Sequence, residues 1–270
     1  MSDVAEQYKT AANLDARIAL HSRFGTAKTN WYRWLFEHLA LPDGARVLEL
    51  GCGPAKLWRE NLGRVPEGWH VTLSDFSAGM IAEAKRRLET GGRDFDFSVA
   101  DAQALPFADA SFDAVVAVHM LYPVPDQGRA LSEVRRVLKP GGRFYASTNS
   151  RDHMKESGDL AAHIADGETL ARIRAAHRLN SFRLEDGQTM LAAHFGEVTL
   201  YRFENALEVT EAGPLLAYIL SATAATELRE RPDEAQKGRL GAFEKHLEVR
   251  IAAEGAVHIT TLPGLFEATT

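Results

Sequence analysis

One cysteine, Cys52, stands in 270 residues. That excludes a disulfide within the chain and fits a reducing compartment. Long apolar runs are missing as well. None approaches the roughly 20 residues of a membrane-spanning helix. Asp3 and Glu6 follow Met1 closely, without the charged-then-apolar order of an export signal. A cytoplasmic protein is the expectation. No Lys- or Arg-rich run is present and the net charge is -6, so the electrostatic footprint of a nucleic-acid binder is absent. Internal repeats and low-complexity linkers are also absent. What remains is 45% hydrophobic and 25% charged, an ordinary globular composition, in a chain long enough for one large domain.

Periodicity divides the chain into three zones within that one domain. Residues 1–42 read as helical, with Trp31, Trp34, Leu35 and Leu39 at helical spacing, closed by the turn Leu41-Pro-Asp-Gly44. Residues 43–150 alternate strand and helix signals. The candidate strands are Arg46 to Leu50, His70 to Ser74, Phe95 to Ala100, Phe112 to His119 and Arg143 to Thr148. Between them, Ser77 and Asp126 are placed to cap amphipathic helices, and Lys139-Pro-Gly-Gly142 ends the second one. Alternating βαβ units imply an α/β fold, a doubly wound, mostly parallel sheet. Ala114-Val-Val-Ala-Val118 is apolar at every position, as in a strand covered on both faces. Residues 151–270 break the alternation. Helical signals run from Gly158 to about Ala193, from Pro214 to Glu227 and from Pro232 to Ala253; strand signals cover Glu197 to Glu208 and Ala256 to Leu262.

The stretch Val47-Leu-Glu-Leu-Gly-Cys-Gly-Pro54 carries the chemistry. A short strand runs into Gly51-x-Gly53, and the next strand ends in Asp75. Glycines admit a ligand close to the backbone, and the downstream acid can accept from a ribose diol. Two cofactor classes share this order. The dinucleotide fingerprint needs a third glycine where Lys56 stands. Glu49 would moreover repel a pyrophosphate, whereas it suits a ligand bearing an ammonium or sulfonium group.

Residues 45–150 resemble the core of the class I S-adenosylmethionine-dependent methyltransferases. They are most similar to the small-molecule, type 11 branch. The family's first motif, acid-x-Gly-x-Gly-x-Gly, stands here as Glu49-Leu-Gly51-Cys-Gly53-Pro-Ala55, with alanine at the third glycine. Asp75 ends the second strand, Val99-Ala-Asp101-Ala102 matches the adenine motif, and Leu105-Pro-Phe107, Ser111-Phe-Asp113 and Leu138 to Arg143 follow in family order. The resemblance implies a seven-stranded Rossmann-like sheet ending in an antiparallel hairpin, roughly 197–208 with 256–268. Residues 209–255 become inserted helices. Together with 1–42 and the helical part of 151–270 they would form a helical lid. It further implies a cofactor site of Glu49, Gly51, Cys52, Gly53, Asp75, Phe76, Met80, Asp101, Ala102 and His119. The donor would be S-adenosylmethionine and the product S-adenosylhomocysteine. Asp75 would hold the ribose, Asp101 the adenine amine, and Glu49 the amino-acid end.

His119 ends the fourth strand, at the carboxyl edge where open α/β sheets bind ligands. It is read either as a contact to the methionine part or as a general base, against a satisfied, partly buried histidine. His153 and His21 stand behind it as candidate bases. Tyr8, His21, Tyr122 and His153 are the candidates for lining an acceptor pocket, with surface placement the plainer reading for Tyr8, His21 and His153. No catalytic metal is expected, because a catechol-type metal site needs an acid where His119 stands. The function that follows is in-line transfer of a methyl group to an O, N or C nucleophile of a small metabolite. The alternatives are methylation of RNA, peptide or protein, and a cofactor-binding protein without transfer activity. No nucleic-acid or membrane partner is expected.

Overall fold

The apolar runs of the middle zone lie side by side in one sheet. The computed structural model describes residues 12–171, 182–221 and 232–270. Its strands are β1 (Arg46–Leu50), β2 (His70–Asp75), β3 (Asp96–Val99), β4 (Phe112–Val118), β5 (Leu138–Asn149), β6 (Val198–Arg202), β7 (Asn205–Val209), β8 (Val257–Thr261) and β9 (Pro263–Thr269). Its helices are α1 (Ala12–Phe24), α2 (Trp31–Glu37), α3 (Lys56–Arg59), α4 (Ala78–Leu88), α5 (Gln127–Val137), α6 (Lys155–Ala161), α7 (Leu184–Ala192), α8 (Ala212–Leu220) and α9 (Glu234–Glu254). These elements fall into two units.

The first unit, within 29–150, 182–203 and 263–270, holds a seven-stranded sheet in the order β3-β2-β1-β4-β5-β9-β6. Strands β1 to β5 are parallel. Strand β9 runs antiparallel to β5 and pairs β6 on its other side. Side chains alternate between two apolar faces. Leu48, Leu50, Val115 and Ala117 join the cluster that includes Leu131 and Val134 of α5. Val47, Ala114 and Val116 join the opposite one with Ile81 and Leu88 of α4. Both faces are covered, so β4 reads as an unbroken apolar run. Ser77 Oγ accepts from Met80 N–H at 3.3 Å and Asp126 Oδ1 from Arg129 N–H at 2.9 Å, the caps read from the sequence. Strand order reverses between β1 and β4, the switch point that opens a crevice at the carboxyl ends.

The second unit, within 12–28, 151–171, 204–221 and 232–262, packs α1, α6, α8 and α9 with the β7–β8 ribbon. Leu20, Leu207, Leu215, Phe243, Leu247 and Ile259 are central to its core. Helix α9 opens with a reciprocal cap: Asp233 accepts from Gln236 N–H at 2.7 Å, and the Gln236 side chain accepts from Asp233 N–H at 2.8 Å.

The segment read as one strand, 197–208, is two, β6 and β7, interrupted at Phe203 and Glu204. Its return partner is likewise split into β8 and β9 at Leu262. The pairing offset is the same in both ladders, Val198 opposite Ala268 and Asn205 opposite Thr261. The break at Phe203 and Glu204 is invisible to an alternation pattern, which runs through it unchanged. Parts of the helices expected at 158–193 and 214–227 lie outside the described residues.

Candidate functional site

Strand β1 delivers Glu49 and the glycine loop to the switch point. Gly51 and Gly53 take positive φ angles of 62° and 50°. A Cβ on Gly51 would lie 2.6 Å from Met120 Cβ, so the loop passes β4's exit with room for hydrogen only. Ala55, at the family's third glycine, also has positive φ, 56°, and is fully buried. A left-handed alanine costs about 1–2 kcal/mol, so the position asks for glycine and tolerates alanine at some strain. The loop is stitched to β2. Cys52 N–H donates to Ser74 O at 2.9 Å and Gly53 N–H to Asp75 Oδ2 at 2.9 Å.

Asp75 also accepts from Ser77 N–H at 2.8 Å through Oδ1. Burial raises its pKa, against the lowering effect of those two amides. Each oxygen keeps a second lone pair for a hydroxyl group. Beside it the Phe76 ring is 66% exposed. Asp101 follows β3 and accepts from Gln103 N–H at 2.9 Å, while the neighbouring Ala102 is buried. Met80 is buried at the start of α4.

Glu49 is 2% exposed. Its Oε2 accepts from Trp58 Nε1–H at 2.7 Å, and among the described residues no cation pairs with it. Burial pushes its pKa up to about 8, with Asp75 adding to the rise and the indole opposing it. A buried carboxyl group with one neutral donor is a ready partner for a cation brought by a ligand. Cys52 is buried and its thiol pKa is raised by that burial, the opposite of an activated nucleophile.

His119 leaves β4 in the left-handed region, φ 54°, a strain of about 1–3 kcal/mol that clusters at functional sites. Its N–H lies 3.1 Å from Ser147 Oγ and 3.3 Å from Ser147 O of β5. Its ring lies 5.4 Å from that of Trp31. Tyr122, three residues on, is partly buried against the cluster containing Leu131. Thus all the candidate cofactor residues, with His119 and Tyr122, occupy the carboxyl edge of the sheet unit.

His21 and His153 come together in the second unit, rings 5.8 Å apart and nearly parallel, with Tyr218 edge-on to His21. Burial lowers the His21 pKa to about 4. His153 Nδ1 accepts from Leu262 N–H at 3.0 Å. Tyr8 lies outside the described residues. Sequence reasoning missed Trp58, Ser147 and Met120. Trp58 reaches Glu49 only because α3 folds back under the loop, and no spacing rule signals that.

Comparison with known proteins meets the same residues. A family profile described as a methyltransferase domain matches 48–146. A protein named ubiquinone/menaquinone biosynthesis C-methyltransferase UbiE, from Pectobacterium atrosepticum, is 32% identical over 199 residues, 70% of this chain and 78% of that one. The chain belongs to the class I S-adenosylmethionine-dependent methyltransferases. A UbiE from Desulfotalea psychrophila is 40% identical over 113 residues, 42% of this methyltransferase and 45% of that protein. A demethylmenaquinone methyltransferase from Beutenbergia cavernae is 41% identical over 117 residues, 43% of this chain and 46% of that one. Against these two the chain spans about half the length of the relatives it matches. Among solved structures, Haemonchus contortus phosphoethanolamine N-methyltransferase 2, in complex with S-adenosyl-L-methionine, has a TM-score of 0.60 at 17% identity, over 99% of this methyltransferase and 59% of that chain. The 4+2 cyclase SpnF has a TM-score of 0.57 at 20% identity, over 99% and 93%. At such identities the likeness is one of fold.

The site residues fit the family's donor. Glu49 is a buried carboxyl with the Trp58 indole as its hydrogen-bond donor, Asp75 keeps lone pairs beyond its two amide contacts, and the Phe76 ring is exposed.

Proposed function

We propose that this protein transfers a methyl group from S-adenosylmethionine to a nucleophilic atom of a small metabolite. The observation that carries the reading is the buried Glu49, without a cation partner among the described residues, beside a left-handed glycine loop tied to Asp75. Glu49 binds the amino-acid end, Asp75 the ribose hydroxyls, Phe76 the adenine face, and Asp101 its amine. Cys52, Gly53, Met80 and Ala102 shape the wall behind them. The bound donor supplies a methyl group already activated on a sulfonium. The chain's own residues then align the acceptor in line with it, a contribution of several kcal/mol through proximity.

His119 stands at the reacting edge. It orients the acceptor, or takes its proton where an oxygen or nitrogen is methylated, worth typically about 10²–10⁴-fold. Tyr122 is a further acceptor contact in this reading; the candidate bases His21 and His153 pair with each other in the second unit and are given no part in this step. The Pectobacterium and Desulfotalea relatives are named for C-methylation in ubiquinone and menaquinone biosynthesis, which favours an electron-rich ring carbon as the nucleophile. Residues 43–150 act as the cofactor-binding core. The single cysteine and the lack of a long apolar helix among the described residues are compatible with action in the cytoplasm.

Calorimetry tests the reading. S-adenosylmethionine and S-adenosylhomocysteine should bind while NAD does not; tight NAD binding with no response to either sulfur compound would refute it. Asp75→Ala should weaken donor binding by about 10–100-fold, the loss of one or two hydrogen bonds to a half-buried charged acceptor. An unchanged affinity removes Asp75 from the site.

A further inference from the structure

Trp31 is not among the candidate site residues, yet its ring is built against His119. Helix α2 is held in place first. Asn30 Oδ1 accepts from Tyr32 N–H at 2.8 Å and from Arg33 N–H at 3.2 Å, and Asn30 Nδ2–H donates to Glu60 at 3.2 Å. Leu35 and Phe36 are buried in the core beneath. Trp31 and Trp34, three residues apart, share another side of the helix. There the Trp31 ring stacks on Trp34 at 5.2 Å, meets Phe203 edge-on at 5.4 Å, and faces His119 at 5.4 Å with a tilt of 36°.

The indole Nε1–H is buried and has no hydrogen-bond acceptor among the described residues. A buried donor left unmade is expensive, so the position is not chosen for polar tethering. Packing alone sets the ring, and the ring in turn closes one side of the imidazole. The opposite constraint is backbone: His119 N–H on Ser147 and the left-handed φ. A side chain held at its backbone and walled at its ring has few rotamers left.

We propose that Trp31 is the positioning residue for His119: by fixing the imidazole at the end of β4 it sets the geometry in which an acceptor meets the methyl group. The proposal rests on the methyl-transfer reading only for its effect on rate. The positioning itself is a property of the free protein. Removal of the indole opens the side of the imidazole that it covers. A loosened catalytic contact lowers turnover, because displacement of about 1 Å at a reacting centre can cost 10²-fold.

The experiment compares Trp31→Leu, Trp31→Phe and His119→Gln, each first checked for native circular dichroism. Three-bond couplings reporting the His119 side-chain torsion should show one rotamer in the unaltered protein and in Trp31→Phe, and averaging in Trp31→Leu. S-adenosylhomocysteine affinity should stay within about threefold throughout the Trp31 variants. With naphthohydroquinone as acceptor probe, Trp31→Leu should lower kcat by about tenfold or more with little change in donor KM. Trp31→Phe should restore most of it, and Trp31→Leu should cost nothing further in a His119→Gln background. One unchanged rotamer in Trp31→Leu overturns the proposal, as do equal losses with and without His119. Failure of S-adenosylhomocysteine to bind overturns the methyl-transfer reading instead, and the torsion measurement still decides the positioning. Should the probe not be methylated, the torsions alone decide it.

Discussion

At Gly51 two independent constraints exclude any side chain: the left-handed φ of 62° and the Met120 Cβ that a methyl group would meet at 2.6 Å. Gly51→Ala should therefore destabilise the fold by about 2–4 kcal/mol, adding left-handed strain to overpacking, and abolish donor binding. Urea unfolding and calorimetry measure the two. A loss under about 1 kcal/mol would mean that the loop simply moves. Glu49 makes a pH prediction. Its pKa is raised on folding to about 8, so the folded state holds a proton that the unfolded state has released. The contribution is fully present below the unfolded carboxyl value and is lost as pH rises towards 8. The ligand-free protein should thus lose stability with rising pH over that window, and Glu49→Gln should flatten the profile. Affinity for the cationic donor should rise over the same window, because the ionised form is the one a cation stabilises. The placement of Glu49 and Asp75 was legible in the sequence because each stands at or next to the end of an apolar strand run, Glu49 just before the glycine loop. Trp58 and Trp31 were not, since their contacts join segments with no shared periodicity.

Among elements, the parallel strands were legible because a strand buried on both faces carries apolar residues without alternation, and Val115 to Ala117 do so. The caps at Ser77 and Asp126 were legible because capping is local chemistry between a side chain and an amide three residues on. Strand β5 shows the limit. The Lys139-Pro-Gly-Gly142 turn reads as punctuation, yet pairing with β4 already starts at Leu138 and resumes at Arg143 after a register shift. Helix α9 supplies a further test. Its 21 residues begin at the reciprocal cap of Asp233 and Gln236. Asp233→Ala should lower stability by about 1 kcal/mol, read as a lower midpoint in urea with unchanged slope; an unchanged midpoint would make the cap ornamental.

For the molecule as a whole, the donor is expected to stabilise the state that binds it. At a hundredfold excess over Kd the gain is about 2.7 kcal/mol. For a chain of this size that raises the melting temperature by about 5–10 °C. Differential scanning fluorimetry with S-adenosylhomocysteine reads the shift, and NAD at the same concentration should leave the transition where it was. An equal response to both would indicate a generic nucleotide pocket rather than a methyl-donor site.

Local rules act over a few residues, and they were enough to determine the βαβ order, the glycine loop, the acids at the far ends of β1 and β2 and the histidine that follows β4. Those features follow from periodicity and from the conformations that glycine alone adopts cheaply. Tertiary structure alone decided what Glu49 leans on, why Gly51 admits no methyl group, and that 197–208 breaks into two strands serving different units. It alone brought Trp31 to His119 and His21 to His153. Burial and close approach between distant segments are properties of packing, and no single stretch of sequence carries them.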